Sequence, residues 1–225
     1  MNRVHLRGTV TGRVYPPDTI EGETVFRFAL FVKGPVPVPV AISKKCSQPD
    51  YGNMIYIYSK GDIALELVEA VEPELYINEI KGYIWTKNGN GLNVAVTDFD
   101  LSGATTDKVD YEPLNIAELS GYVKKRGGIY GEGEELTNKF TMLAPPSMKG
   151  FRPDKDYATQ VKIKCYGDMA QQAEADGLNP YTKVKRLVGP INTWRRNVKN
   201  NRGGYLRDYA VIATEFEYKI KEKKE

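Results

Sequence analysis

The sequence predicts an all-β protein made of two copies of one small barrel, and three observations carry that expectation. Apolar and polar residues alternate in short runs, as in "VHLRGTV" (4–10) and "VKIKCY" (161–166), which is the period of a half-buried strand. Gly, Pro, Asn and Asp punctuate those runs as turn formers do. The 225-residue chain also matches itself in order, at an offset of roughly 106–113 residues.

The copies run in parallel from the start. "VHLRGTV" (4–10) matches "AELSGYV" (117–123), and "TVFRFALFV" (24–32) matches "LTNKFTMLA" (136–144). The third alternating segment ends at a corner, "YSKGD" in one copy and "CYGD" in the other. A short helix is expected next, over Asp62–Ala70 and Asp168–Asp176, with Asp62 and Asp168 as N-caps because an Asp side chain accepts from free first-turn amides. A two-strand hairpin closes each copy: "LYINEIKGYIW" (75–85) with "GNGLNVAVTDFDL" (89–101), and "KVKRLVGPINTW" (183–194) with "RGGYLRDYAVIATEF" (202–216). Five strands with a short helix between the third and fourth is the outline of an OB-fold, a five-stranded Greek-key barrel. The reading is therefore two tandem OB-folds: domain 1 at residues 1–102, a polar linker at 103–113, and domain 2 at 114–220.

Composition narrows the function. No apolar run reaches the roughly 20 residues that span a bilayer, and the N-terminus enters a strand rather than a secretory signal. Cys46 and Cys165 lie far apart and make no metal spacing, which fits a reducing cytoplasm. With His5 the only histidine, the common metal sites and catalytic triads lack material, so neither a cofactor nor an enzyme is expected. "RGGIYGEGEE" (126–135) does not open a helix after a strand, so it is no dinucleotide loop, and "PVPVP" (35–39) reads as a stiff edge or loop. The net charge of +3 conceals an asymmetry: residues 1–110 carry 11 basic and 14 acidic side chains, residues 111–225 carry 21 and 15. Attraction for a polyanion is expected from the second half.

The opening "MNRVHLRGTVTGRV", then "VKIKCYGDMAQQA", "VKRLVGPINTW" and "YLRDYAVIATEFEY", resemble the bacterial single-stranded DNA-binding proteins in their order of strand, aromatic-Gly corner, helix, Gly-containing fourth strand, Trp and fifth strand. The second copy carries the resemblance best, over about Asn115–Tyr218, and the first copy fits more loosely. The resemblance implies sequence-tolerant single-stranded DNA binding in replication, recombination or repair. It implies a cytoplasmic, nucleoid-associated protein of bacterial, phage or plasmid origin. Two barrels per chain imply a homodimer with four OB domains. The family's acidic recruiting tail has no counterpart in "KIKEKKE" at the end of the chain.

Single-stranded DNA offers unstacked bases and a phosphate chain, so a binder needs aromatic platforms and cations. The hairpin "INTWRRNVKNNRGGYLRDY" (191–209) carries both. With Ile191 facing inward, Trp194 and Arg196 face outward, and Tyr205, Arg207 and Tyr209 share one face of the returning arm. Stacking is therefore expected at Trp194, Tyr205 and Tyr209. The resemblance adds Tyr166 of the second corner, Tyr58 as its counterpart in the first copy, and Trp85 as the counterpart of Trp194. Phosphate contacts are expected from Arg195, Arg196, Lys199, Arg202 and Arg207, and from Lys162 and Lys164, which alternate with core residues on the third strand. Lys155, Lys183, Lys185 and Arg186 extend the basic strip. RNA presents the same π faces and phosphates, so both nucleic acids stay open. A protein-interaction or assembly module, of primosome or phage structural type, is the alternative, because an OB-fold does not by itself determine function.

Overall fold

The computed structural model describes residues 1–33, 52–87, 90–145, 159–197 and 205–220, with the side chains at 87, 90, 195–197 and 205–207 outside the description. The first half contributes β1 (Asn2–Val14), β2 (Asp18–Ile20), β3 (Glu23–Lys33), β4 (Gly52–Lys60), α1 (Asp62–Ala70), β5 (Tyr76–Lys87) and β6 (Asn90–Asp100). The second contributes β7 (Asn115–Tyr130), β8 (Thr137–Ala144), β9 (Thr159–Tyr166), α2 (Gly167–Ala175), β10 (Lys183–Gly189), β11 (Ile191–Asn197), β12 (Tyr205–Ile212) and β13 (Glu215–Tyr218).

Each half closes into an OB barrel. In the first, β1 pairs with β3, β3 with β4, β4 in parallel with β6, β6 with β5, and β5 returns to β1. In the second, β7 pairs with β8, β8 with β9, and β9 in parallel with β12. The fourth strand is broken at Pro190 into β10, which pairs with β7 and β13, and β11, which pairs with β12. A proline has no amide hydrogen to give the ladder, so a break there is the expected response.

The repeat extends to single contacts. The Asn2 amide donates to the Ile84 carbonyl at 2.9 Å and accepts from the Ile84 amide at 3.0 Å. Asn115 does the same to Ile191, both at 2.9 Å. A Cβ on Gly82 or Gly189 would lie 2.2 or 1.7 Å from the carbonyl oxygen of Ala95 or Ile212, so both fourth strands need glycine where the fifth strand crosses closely. Each barrel end is plugged by its helix through small or aliphatic side chains, Ala64 and Leu67 or Ala170 and Ala173. Neither helix is capped as expected. Gly61 and Tyr166 hold the N-cap positions without a side-chain bond, and Asp62 and Asp168 lie inside the first turn. There they act on the helix dipole rather than on a free amide.

The barrels are joined edge to edge. Asn2–Leu6 of β1 pairs antiparallel with Asn115–Leu119 of β7, and one buried apolar cluster runs through both halves. The junction continues where the Thr193 amide donates to Asn53 Oδ1 at 2.8 Å and the Thr86 hydroxyl donates to the Gln160 carbonyl at 3.0 Å. The segment expected as a linker lies back against the first barrel: Tyr76 N donates to Thr105 O at 2.7 Å, and the Tyr76 and Tyr111 rings are 4.9 Å apart.

Candidate nucleic-acid interface

On the second barrel residues of β7, β8, β9, β11 and β12 line a shallow groove of about 450 Å³. Its floor is apolar. Ala210 and Ile212, each 1% exposed, face out of the barrel and are covered by Tyr166 and Trp194. The ammonium of Lys164 lies over the Trp194 ring, 4.0 Å from its centroid. Lys162 is held by Asp208 at 2.6 Å, so the one acidic residue of the hairpin neutralises one of the expected phosphate ligands. Lys139, next to Lys164 in the β8–β9 register, lies 4.5 Å over the ring of Tyr130, which is 56% exposed. The groove thus presents aromatic rings under lysine ammonium groups beside an apolar floor.

Tyr209 is a correction. It faces inward, 1% exposed, and its hydroxyl donates to the Gln160 carbonyl at 3.0 Å, in the junction between the barrels. Burial raises its phenol pKa, and the Lys162 ammonium lies 5.6 Å from the centroid of its ring at the edge of the groove. The cause is register. Trp194 pairs with Asp208, and Thr193 with Tyr209, so the outward positions on β12 are 208 and 210. A shift of one residue exchanges the faces of a strand. By the same register Tyr205 and Arg207 stand opposite Asn197 and Arg195. Their side chains, and those of Arg195 and Arg196, lie outside the described residues, as do Lys155, Lys199 and Arg202 entirely.

On the first barrel the aromatics are present but displaced. Arg27 pairs with Tyr58 where Lys139 pairs with Lys164, so Tyr58 is the counterpart of Lys164 and not of Tyr166. The Asn2 and Asn115 clips align Ile84 with Ile191, which makes Trp85 the counterpart of Asn192 rather than of Trp194. Tyr58 and Trp85 pack against each other, 5.4 Å between centroids, and burial raises the Tyr58 pKa. Around them stand residues that the sequence reading passed over. Arg13 donates to the Tyr56 hydroxyl at 2.7 Å, and the guanidinium of Arg27 lies 5.7 Å over Tyr15. Tyr15, just after β1, and Tyr130, at the end of β7, each lie beneath a cation of the neighbouring strand, Arg27 of β3 or Lys139 of β8. That signal was in the sequence as an outward Arg27 or Lys139 near a strand-terminal tyrosine. Lys60 is engaged by Glu23, so the first face keeps fewer cations for a ligand.

Two solved structures of the single-stranded DNA binding protein from Thermus aquaticus superpose along the whole chain. The wild type gives a TM-score of 0.66 at 12% identity, covering 100% of this chain and 96% of that one. A deletion and point variant gives 0.67 at 13%, covering 100% and 98%. This chain has the tandem OB-fold of the Thermus protein. Neither protein-family models nor curated proteins match the sequence. Among the described residues, no group of three or more His, Cys, Asp or Glu could hold a metal ion, and no helix is long and apolar enough to cross a membrane. Cys165 is buried and its thiol pKa is pushed up to about 12 by that burial, so it is no nucleophile.

Proposed function

We propose that the protein binds single-stranded DNA with little regard to sequence, and serves in replication, recombination or repair. The observation that carries this reading is the Lys164–Trp194 pair on the Ala210–Ile212 floor. A base stacking on the indole displaces the ammonium, which then meets the adjacent phosphate. The exchange gives up a cation–π contact worth about 0.5–1 kcal/mol at an exposed site. It gains stacking worth about 1–3 kcal/mol per base, together with counterion release. Tyr166 and Tyr130 extend the stacking path, and Lys139 and the basic hairpin arms follow the phosphates. The similarity to the Thermus protein supports the same reading. Binding rather than catalysis is the proposed activity, and a homodimer with four barrels is the proposed working form.

The test is intrinsic fluorescence titrated with oligo(dT), because Trp85 and Trp194 are the only tryptophans. Quenching that weakens with salt, is absent with duplex DNA and is lost mainly in Trp194→Phe is the expected result. An absence of both quenching and gel shift at low salt would reject this reading in favour of an assembly module.

A further inference from the structure

The two barrels differ at a second place, remote from the stacking faces. In the first barrel the chain after β6 crosses a groove and fills it. Tyr76 N donates to Thr105 O at 2.7 Å, and Arg7 N donates to Leu114 O at 2.9 Å. Asp110 meets Lys33 at 3.0 Å. The Tyr111 ring sits 4.9 Å from Tyr76 and beneath the Lys33 ammonium. This strap, residues 105–112, reads TTDKVDYE: acidic, with one aromatic side chain.

The second barrel has the same groove, and strand register aligns the two. Thr9 pairs with Tyr76 and Phe31, as Tyr122 pairs with Lys183 and Leu143. Gly8 pairs with Ile77, as Gly121 pairs with Val184. Glu74 and Tyr181 hold the same left-handed turn at φ 71 and 70. Every residue lining the second groove, from Ser120–Tyr122 through Leu143 and Pro145 to Lys183–Lys185, is thus the register counterpart of a residue in or beside the strap's seat. Among the described residues this groove is open, at about 640 Å³, and mostly apolar. Its rim carries cations and rings at other positions than the first barrel's, with Ser120 and Pro145 where that barrel has Arg7 and Lys33. Lys183 and Lys185 replace Tyr76 and Asn78, Tyr122 is 49% exposed and Tyr181 76%. Among the described residues neither lysine is in an ion pair.

We propose that this groove docks an extended acidic segment of a partner protein, carrying an aromatic side chain. The aromatic packs into the apolar floor beside Tyr122, and the carboxylates meet Lys183 and Lys185. The first barrel favours a peptide over a nucleic acid, because an acidic peptide already occupies the same cradle there.

The test uses the full-length chain and a fluorescein-labelled TTDKVDYE peptide, followed by anisotropy. Saturable binding is expected, weakened about tenfold in the Lys183→Glu/Lys185→Glu variant and less in the Lys183→Gln/Lys185→Gln variant. Replacing the peptide's tyrosine by alanine should weaken it about fivefold or more. Saturating oligo(dT) should leave binding unchanged, which separates this groove from the stacking faces whether or not those faces bind DNA. Both variants change exposed side chains, so unchanged thermal unfolding is the control for folding. Three results would overturn the proposal: no saturable binding at millimolar peptide, equal affinity in the charge-reversed variant, or displacement by oligo(dT). The last would assign the groove to nucleic acid.

Discussion

The corresponding outer faces of the two barrels hold the same kinds of side chain in exchanged positions. Where the first barrel places Tyr58 and Trp85, the second has Lys164 and Asn192; where the second places Tyr166 and Trp194, the first has Lys60 and Lys87. The result is two aromatics packed on each other in one face, and two aromatics over an apolar floor with a lysine over one of them in the other. A ring that already has a ring for a partner offers less to a base. The difference teaches that one backbone, repeated, can present two different faces by moving each aromatic a single same-face step along its strand.

That contrast can be broken or sharpened by experiment. The largest effect is expected within the second barrel: Tyr209→Ala should cost about 3–5 kcal/mol of stability in urea unfolding, as for other large buried side chains. Tyr166→Ala, on the outer face, should cost far less stability and show its effect in DNA affinity instead. Next, Trp194→Ala should weaken oligo(dT) binding by about 1–3 kcal/mol, while Trp85→Ala should cost under about 1 kcal/mol. Equal losses would mean that the two faces are equivalent and the contrast wrong. A smaller effect is expected in salt dependence, where Lys164→Gln should reduce the slope of log K against log salt by about 1 and Lys60→Gln by less.

The smallest effect concerns acid. Among the described residues, the first barrel holds Glu79, Asp98, Asp100 and Asp110 below the usual carboxylate range. His5 acts first on Glu79, Lys81 on Asp98, Ser102 on Asp100 and Lys33 on Asp110. In the second only Asp176 is so held, first by Gln172. A depressed folded pKa contributes stability above the unfolded value of about 4 and loses it as pH falls through the folded value. Urea unfolding below about pH 4 should therefore weaken the first barrel before the second. Trp194→Phe leaves Trp85 to report the first barrel, and Trp85→Phe leaves Trp194 to report the second. Simultaneous loss would show the shared core coupling them.

Much of the fold was legible because it rests on periodicity. Alternation gave the strands, and the corner "YSKGD" placed α1 at Asp62–Ala70. The site was less legible, because it depends on register. The offset between copies changes from 106 at the third strand to 107 at the fourth and 117 at the fifth, as loops lengthen. Matching "YSKGD" to "CYGD" by its tyrosine, rather than by the glycine that opens both helices, moved Tyr58 two residues from its true counterpart. Tyr209 was lost to the same kind of slip, since the register of β12 against β11 decides which alternate residues face out. The Ala210–Ile212 floor gave no signal of its own, because apolar residues on both faces of a strand read simply as core.

The pairing of Asn2–Leu6 with Asn115–Leu119 has a further result for the chain as a molecule in solution. In a lone barrel this part of the first strand would be a sheet edge, with amides and carbonyls free to recruit any extended neighbour. By turning its two exposed borders toward each other, the protein hides both from aggregation, and Val4, Leu6, Ala117 and Leu119 are fully buried alongside. A half cut out on its own would regain that sticky border, so it is expected to self-associate rather than remain a monomer.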